Sequence, residues 1–119
     1  MNIRIVTYIL VLVFALSGDA KLAALPFEVE AFARWGYTPS FMYLTGILEV
    51  AGAAGLLIPR LSALASACLA ILMIGAIGTH AIHSEWPMFA VAVAIFCFAT
   101  WRGWFGRCDI AQLFSGSRA

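Results

Sequence analysis

Four polar side chains that could take part in chemistry interrupt long apolar runs of this sequence: Lys21, Glu49, Thr79 and His80. A glutamate and a histidine can each exchange a proton, and a lysine can polarise a substrate oxygen. In a pocket that is otherwise apolar, the same side chains could instead orient a bound molecule. Whether they catalyse or bind depends on the elements that bring them together.

Glu49 is the only charged residue of the stretch GILEVAGAAGLLIP. At about 1.5 Å per residue it lies about 15 Å into a helix that starts at Pro39, near the middle of a bilayer. Its neighbours on the same side of the helix include Gly46, Gly52 and Ala53, whereas large aliphatic side chains mostly point away. This pattern predicts that Glu49 faces the interior of a helix bundle. The alternative is that Glu49 only joins helices through a hydrogen bond.

The partner of Glu49 stays open at the level of sequence. Lys21 lies near the outer end of the first apolar run, where its long side chain could reach the membrane surface. Asp19 lies about half a helical turn away and could hold the lysine there. A Lys21–Glu49 ion pair instead requires the lysine to point into the bundle. Without a nearby cation, burial disfavours the charged form of a carboxylate.

Two histidines close the third apolar run, in GAIGTHAIHSEW. His80 and His83 are three residues apart and therefore adjacent on a helix, and Glu85 follows them. This set suggests a metal or haem site, but two histidines without a third ligand at metal spacing are weak evidence. We expect no metal site, and we expect His80 to be a polar residue of a cavity. Ordinary histidines at the membrane interface are the alternative.

The cysteines offer no redox motif. Cys68, Cys97 and Cys108 are widely separated, and no CxxC pair occurs. This spacing argues against thioredoxin-like chemistry. Two of the three lie in apolar runs, where we expect them to be small buried hydrophobic residues.

The composition requires a solvent other than water. Of the 119 residues, 64% are hydrophobic and 11% are charged. Soluble domains are about 45–50% apolar and about 25% charged, so these few charges could not cover a water-soluble globule. The predicted surroundings are a lipid bilayer. A net charge of +1 without clustered lysine and arginine excludes nucleic-acid binding through bulk electrostatics.

Four apolar segments with nearly the length of a bilayer-spanning helix predict the fold. They cover about residues 3–20, 39–58, 61–82 and 86–104. The predicted class is an all-α membrane protein, with one four-helix transmembrane domain over residues 1–119. The first segment could also be a secretion signal, since Ala15 and Ser17 are placed as at a cleavage site.

Between the first two spans, LPFEVEAFARWGY predicts a short amphipathic helix. Leu25, Val29 and Phe32 share one face, and Glu30 and Arg34 lie across from them. We expect this helix to rest in the membrane interface. An ordinary polar loop is the alternative.

The positive charges predict the orientation. With a cytoplasmic N-terminus, the other side carries only Lys21 and Arg34, and the cytoplasmic side carries five arginines, namely Arg4, Arg60, Arg102, Arg107 and Arg118. By the positive-inside rule both termini are cytoplasmic, and we expect the cytoplasmic (inner) membrane of a bacterium. Small residues such as Ala51 and Gly55 permit a homo-oligomer without requiring one.

Three stretches together resemble the DoxX-like membrane proteins: FALSGDAKL in the first span, GILEVAGAAGLLIP in the second and GAIGTH in the third. The resemblance runs over about Ile5 to His83, and the three motifs occur in the family's order. It implies the same four-span fold. The matching positions are Gly18, Lys21, Gly46, Glu49, Gly52, Gly55, Thr79 and His80.

The resemblance also implies a link to membrane redox systems, since the family takes its name from subunits of a terminal quinol oxidase and a thiosulfate:quinone oxidoreductase. We therefore expect a protein that binds a small hydrophobic or quinone-like molecule, or an accessory subunit of a redox partner protein. The binding residues would be Lys21, Glu49, Thr79 and His80. Neither the ligand nor a cofactor is identified by the sequence.

The alternative is a membrane-embedded enzyme that acts on a small lipophilic substrate, most simply an isomerase. Glu49 would then act as general acid and base, while His80 or Lys21 polarised the substrate. A purely structural bundle or a small transporter is a third hypothesis. No inverted repeat or broken helix favours it.

Overall fold

The computed structural model describes residues 2–115, and this range is entirely helical apart from its turns. The predicted all-α class is therefore confirmed, while the predicted cytoplasmic Arg118 lies outside the described residues. The helices are α1 (Ile3–Leu22), α2 (Pro26–Trp35), α3 (Pro39–Leu56), α4 (Ser62–Ile82), α5 (Trp86–Phe105) and α6 (Arg107–Ser115).

Helices α1, α4 and α5 are long and apolar enough to cross a membrane, and they are the candidate spans within residues 2–115. Helix α3 is not among them. It has 18 residues, and it ends at Leu56 rather than at the predicted residue 58. Glu49 and the glycines Gly46, Gly52 and Gly55 give it a lower hydropathy than the other long helices.

Two helix pairs build the bundle. Helix α1 packs most extensively on α3, and α4 on α5, while further contacts of α3 with α4 and of α1 with α5 join the pairs. The core between them includes Leu10, Phe14 and Leu69, each at most 2% exposed. Large apolar side chains such as Leu12 and Ile71, which are 61% and 68% exposed, cover the outer faces. An apolar exterior of this kind suits contact with lipid.

Helices α1 and α4 end in the same way. Ala24 and Ser84 adopt φ angles of 52° and 56°, the left-handed conformation that reverses the chain after a helix. The amide N–H of Glu85 then donates to the carbonyl oxygen of His80 at 2.9 Å, and the equivalent bond follows Ala24. The reversal after α4 therefore brings the side chain of Glu85 back beside the last turn of that helix.

The start of α1 and the end of α5 form a closely packed end of the bundle. Arg102 is 9% exposed, and its Nε donates to Thr7 Oγ1 at 2.8 Å. Gly106 lies so close to Ala63 of α4 that a Cβ at this position would collide with it. Helix α6, which the sequence pattern does not predict, follows directly after this glycine.

The two cysteines in apolar runs are not buried as expected. Cys68 and Cys97 are free thiols on the exposed surface, and so is Cys108 in α6, for which burial was not expected. The expectation is wrong because, in a helix that is apolar all round, hydrophobicity does not distinguish the core face from the outer face.

Candidate functional site

A cavity of about 620 Å³ lies beneath α2, in the half of the bundle opposite Arg102. Helices α1 to α5 all contribute to its walls. Its apolar lining includes Phe14, Met73 and Ala92, which belong to α1, α4 and α5. The polar side chains that face it include all four predicted site residues: Lys21, Glu49, Thr79 and His80.

The first polar group of the cavity is the Lys21 cluster, which consists of Ser17, Lys21, Glu28 and Glu49. The lysine Nζ lies 2.9 Å from Glu49 Oε1 and 3.5 Å from Glu28 Oε2, and it donates to Ser17 Oγ at 2.8 Å. The side chains of Lys21 and Glu49 are 11% and 7% exposed. Lys21 therefore points inward, and one buried ammonium group serves two carboxylates.

The carboxylate of Glu49 is incompletely satisfied. Its Oε1 is buried and close to the Lys21 ammonium, but no donor meets hydrogen-bond geometry with it among the described residues. The contact with the lysine is an ion pair by distance, with poor angles. A buried carboxylate oxygen normally accepts hydrogen bonds, whereas Glu49 Oε1 is held by charge attraction to the lysine rather than by a well-aligned hydrogen bond.

Two glycines explain how the lysine reaches the glutamate. A Cβ added to Gly18 would lie 2.8 Å from the carbonyl oxygen of Gly46, and a Cβ added to Gly46 would lie 3.0 Å from Lys21 Cβ. Helices α1 and α3 are thus in backbone contact at this level, which only residues without a side chain allow. The close approach places the stem of Lys21 against α3, one turn before Glu49.

The second polar group is the Glu85 cluster, which consists of Arg34, Trp35, His80 and Glu85. Arg34 Nη2 donates to Glu85 Oε2 at 2.8 Å, and Trp35 Nε1 donates to Glu85 Oε1 at 3.1 Å. His80 Nδ1 lies 2.8 Å from the same Oε1, and the Trp35 and His80 rings meet edge to face. One carboxylate therefore connects the end of α2 to the end of α4.

These contacts stabilise the charged form of Glu85. The hydrogen bond with His80, followed by those from Arg34 and Trp35, lowers the pKa of Glu85 from 4.5 to about 2, although partial burial acts in the opposite direction. Hydrogen bonds to a charged carboxylate favour that form. The cluster therefore holds α2 in place whenever Glu85 is ionised.

The hydroxyl of Thr79 is already engaged within the protein. Its Oγ1 donates to the carbonyl oxygen of Gly75 and lies 2.9 Å from the hydroxyl of Tyr37. Tyr37 follows α2 directly, so this contact is a second connection between α2 and α4. Thr79 is thus available to a ligand only as an acceptor shared with Tyr37.

The cavity opens towards the outer surface between α2 and α5. Phe27, Met88 and Val91 all line it, and they are 61%, 51% and 50% exposed. Phe32 in contrast is 5% exposed and forms the covering wall. An apolar opening of this kind suits a hydrophobic molecule that arrives from lipid.

The structure brings the predicted residues into one cavity, but not into one contact. Lys21 touches Glu49, while Thr79 and His80 contact other partners on the opposite wall. Sequence reasoning missed Glu28, Trp35 and Tyr37. The signal that could have found them is the chain order, because in an up-down bundle the helix between the first two spans lies at the same end of the bundle as the end of the third span.

No group of three or more histidine, cysteine, aspartate or glutamate side chains is arranged to hold a metal ion within residues 2–115. His83 is exposed, and its Nδ1 lies 2.9 Å from the carbonyl oxygen of Thr79. His80 and His83 therefore have separate partners in the described part of the chain.

Comparison with known proteins gives a family match. The model of the DoxX-like family matches residues 5–101. An uncharacterized protein of Bacillus subtilis (strain 168), YdgD, is 33% identical over 90 residues, which cover 71% of this chain and 79% of that protein. No solved structure matches.

Proposed function

Because this chain belongs to the DoxX-like family, we propose that it is a four-span membrane protein whose cavity binds a small hydrophobic molecule carrying a polar group. The observation that carries the proposal is the cavity itself, which combines a buried Lys21–Glu49 pair with an apolar wall and an apolar opening. Few polar groups in a mostly apolar pocket are typical of binding sites for such molecules.

Helix α3 is the proposed fourth span. It packs along α1 and α4, which are both candidate spans. Its 18 residues extend about 27 Å, close to the thickness of the hydrocarbon core of about 30 Å. Its carboxylate faces the bundle rather than the outside, so α3 can cross although its mean hydropathy is low. Helix α2 would then rest at the interface.

The number of spans is tested by the location of the two chain ends. Four spans place both ends on one side, and the distribution of arginines favours the cytoplasmic side of a bacterial inner membrane. We expect a green fluorescent protein fused after residue 119 to be fluorescent and an alkaline phosphatase fused there to be inactive. Three spans with a cytoplasmic N-terminus would give the opposite pair of results.

The binding proposal is tested by what the protein carries. We expect mass spectrometry of the protein purified in a mild neutral detergent to detect a bound small molecule. The Glu49→Gln variant should retain less of it, whereas Asp19→Asn, which removes an exposed carboxylate outside the cavity, should retain the wild-type amount. Equal retention by all three proteins would remove Glu49 from the binding site.

The proposed redox role rests on family membership rather than on the geometry of the cavity. A quinone is a hydrophobic molecule with polar oxygens, and the cavity is large and apolar enough for a quinone ring. A bound quinone in the mass spectrum would support an accessory subunit for a redox partner protein. A visible absorption spectrum of the same sample would reveal haem or flavin.

An isomerase is the second candidate, because Glu49 and His80 line the same cavity. Proton removal at one carbon and return at another needs no cofactor or co-reactant, and a carboxylate can do both steps. The test is to incubate a lipid extract with the protein and to search for products of unchanged mass. Conversion that Glu49→Gln abolishes while the protein stays folded would favour the enzyme over the binding protein.

A further inference from the structure

The charges around the cavity do not balance. Four acidic side chains line it, from Glu28, Glu30, Glu49 and Glu85, together with the basic side chains of Lys21 and Arg34. Counting His80 as a third basic group still leaves one acidic side chain in excess. Such a cavity repels an anionic ligand and attracts a cationic one.

The deficit of positive charge is located in the Lys21 cluster. Arg34 is already paired with Glu85 at 2.8 Å, and His80 contacts the same carboxylate. No second cation lies within ion-pair distance of Glu28 or Glu49 in the described part of the chain. Lys21 alone therefore neutralises two carboxylates that are both largely buried.

The carboxylates of Glu28 and Glu49 mark where a positive group would be held. Both residues line the cavity, and both share the single ammonium group of Lys21, at 3.5 Å and 2.9 Å. Carboxylates hold ammonium groups most strongly where water is excluded. Beyond these carboxylates the cavity wall continues with Phe14, Met73 and Ile95, which suit an apolar chain.

We propose that the cavity selects amphiphiles with a cationic head group and an apolar chain, whose head binds beside Glu28 and Glu49. This inference rests on the proposed binding function and narrows its ligand class. Quinones and other neutral molecules would fit the apolar wall but leave the second carboxylate without a counter-charge.

Three probes with the same ten-carbon chain test the inference: decylammonium, 1-decanol and decyl sulfate. Their binding to the full chain in phosphatidylcholine nanodiscs is measured by calorimetry, with empty nanodiscs as the control for partition into lipid. We expect the ammonium probe to bind about tenfold or more tightly than decyl sulfate, with decanol between them.

Two matched variants test whether Glu28 causes the preference for the ammonium probe. Glu28→Gln keeps the Lys21–Glu49 pair but removes the excess carboxylate, so the ammonium probe should lose most of its advantage over decanol. Asp19→Asn makes the same change of charge at an exposed site outside the cavity and should keep the advantage.

The outcomes separate this inference from the binding function. Decanol binding without a preference for the ammonium probe overturns the inference and leaves the binding function intact. A preference for decyl sulfate likewise overturns the inference and leaves the binding function intact. Binding of no probe above the empty nanodiscs overturns the binding function, and the inference with it.

Discussion

The Lys21 cluster and the Glu85 cluster lie at the wall of one cavity and differ in their ratio of hydrogen-bond donors to carboxylates. In the first, one ammonium group serves two carboxylates and leaves a carboxylate oxygen without a donor. In the second, one carboxylate receives three donor side chains. The Glu85 cluster is therefore complete within the protein, whereas the Lys21 cluster has one cation for two carboxylates.

The two clusters also differ in how deeply their charged side chains are buried. Lys21 and Glu49 lie between α1 and α3, with side chains that are 11% and 7% exposed, whereas the side chain of Arg34 is 57% exposed. Interactions between buried charges are stronger and less screened than those near water. This difference favours the buried cluster as the proposed binding site, while the outer cluster fastens α2 to the end of α4.

Removal of the lysine should have the largest effect. Lys21→Met leaves two buried carboxylates without a cation, and breaking a buried pair in this way costs about 3–5 kcal/mol of unfolding free energy. Thermal unfolding in detergent measures the loss. The double variant Lys21→Met/Glu49→Gln should recover much of it, and a single variant as stable as the wild type would show that the pair is not buried.

Separation of α1 and α3 should have the next largest effect. The added Cβ of Gly18→Ala would lie 2.8 Å from the Gly46 carbonyl oxygen, so the helices must move apart at a cost of about 1–3 kcal/mol. Gly78→Ala is the matched control, because nothing lies within 4 Å of its added Cβ. We expect the control to be neutral or slightly stabilising, and equal losses in both would contradict the close approach.

Acid should weaken the Glu85 cluster. Because the pKa of Glu85 is about 2 in the folded protein and ordinarily 4.5, ionised Glu85 stabilises the fold above about pH 4.5. That contribution is lost as the pH falls towards 2. Glu85→Gln should be less stable than the wild type at about pH 6, and the gap in melting temperature should narrow at about pH 3. A constant gap would show that Glu85 is not held by these contacts.

The two helix ends should show the smallest effects. Ser84→Gly and Ala24→Gly each place a glycine at a left-handed position, which should stabilise the protein by up to about 1 kcal/mol. Melting temperatures measure both changes. A loss of stability in either variant would contradict the left-handed turn at that position.

Sequence alone predicted helices α1 to α5, but it predicted neither α6 nor all of the contacts between helices. The four apolar runs and α2 follow from hydrophobic length and period, and Pro26 and Pro39 mark the start of α2 and α3. Glu49 was placed inside the bundle because small residues share its face, and the structure buries it. The exposed cysteines could not be predicted, since a uniformly apolar helix has no period that orients it.

The partners of the charged residues depend on tertiary packing. The side chain of Lys21 could reach the surface or the core from the same helix position. The close approach of Gly18 to Gly46 brings α1 and α3 together, so that the side chain reaches the core. Glu85 meets Arg34, which is 51 residues away in the chain. No local pattern specifies a contact at such separation, although both residues lie near helix ends on the same side of the bundle.

Photolabelling tests most directly whether the cavity binds a hydrophobic molecule. A decanol analogue with a diazirine at the end of its chain is activated in the presence of the protein, and mass spectrometry maps the labelled residues. We predict labels on Met73, Ala92 and Ile95 that excess decanol removes, and labels on the outer residues Leu12 and Ile71 that it does not. Labels confined to the outer faces, or cavity labels that excess decanol leaves unchanged, would contradict the account.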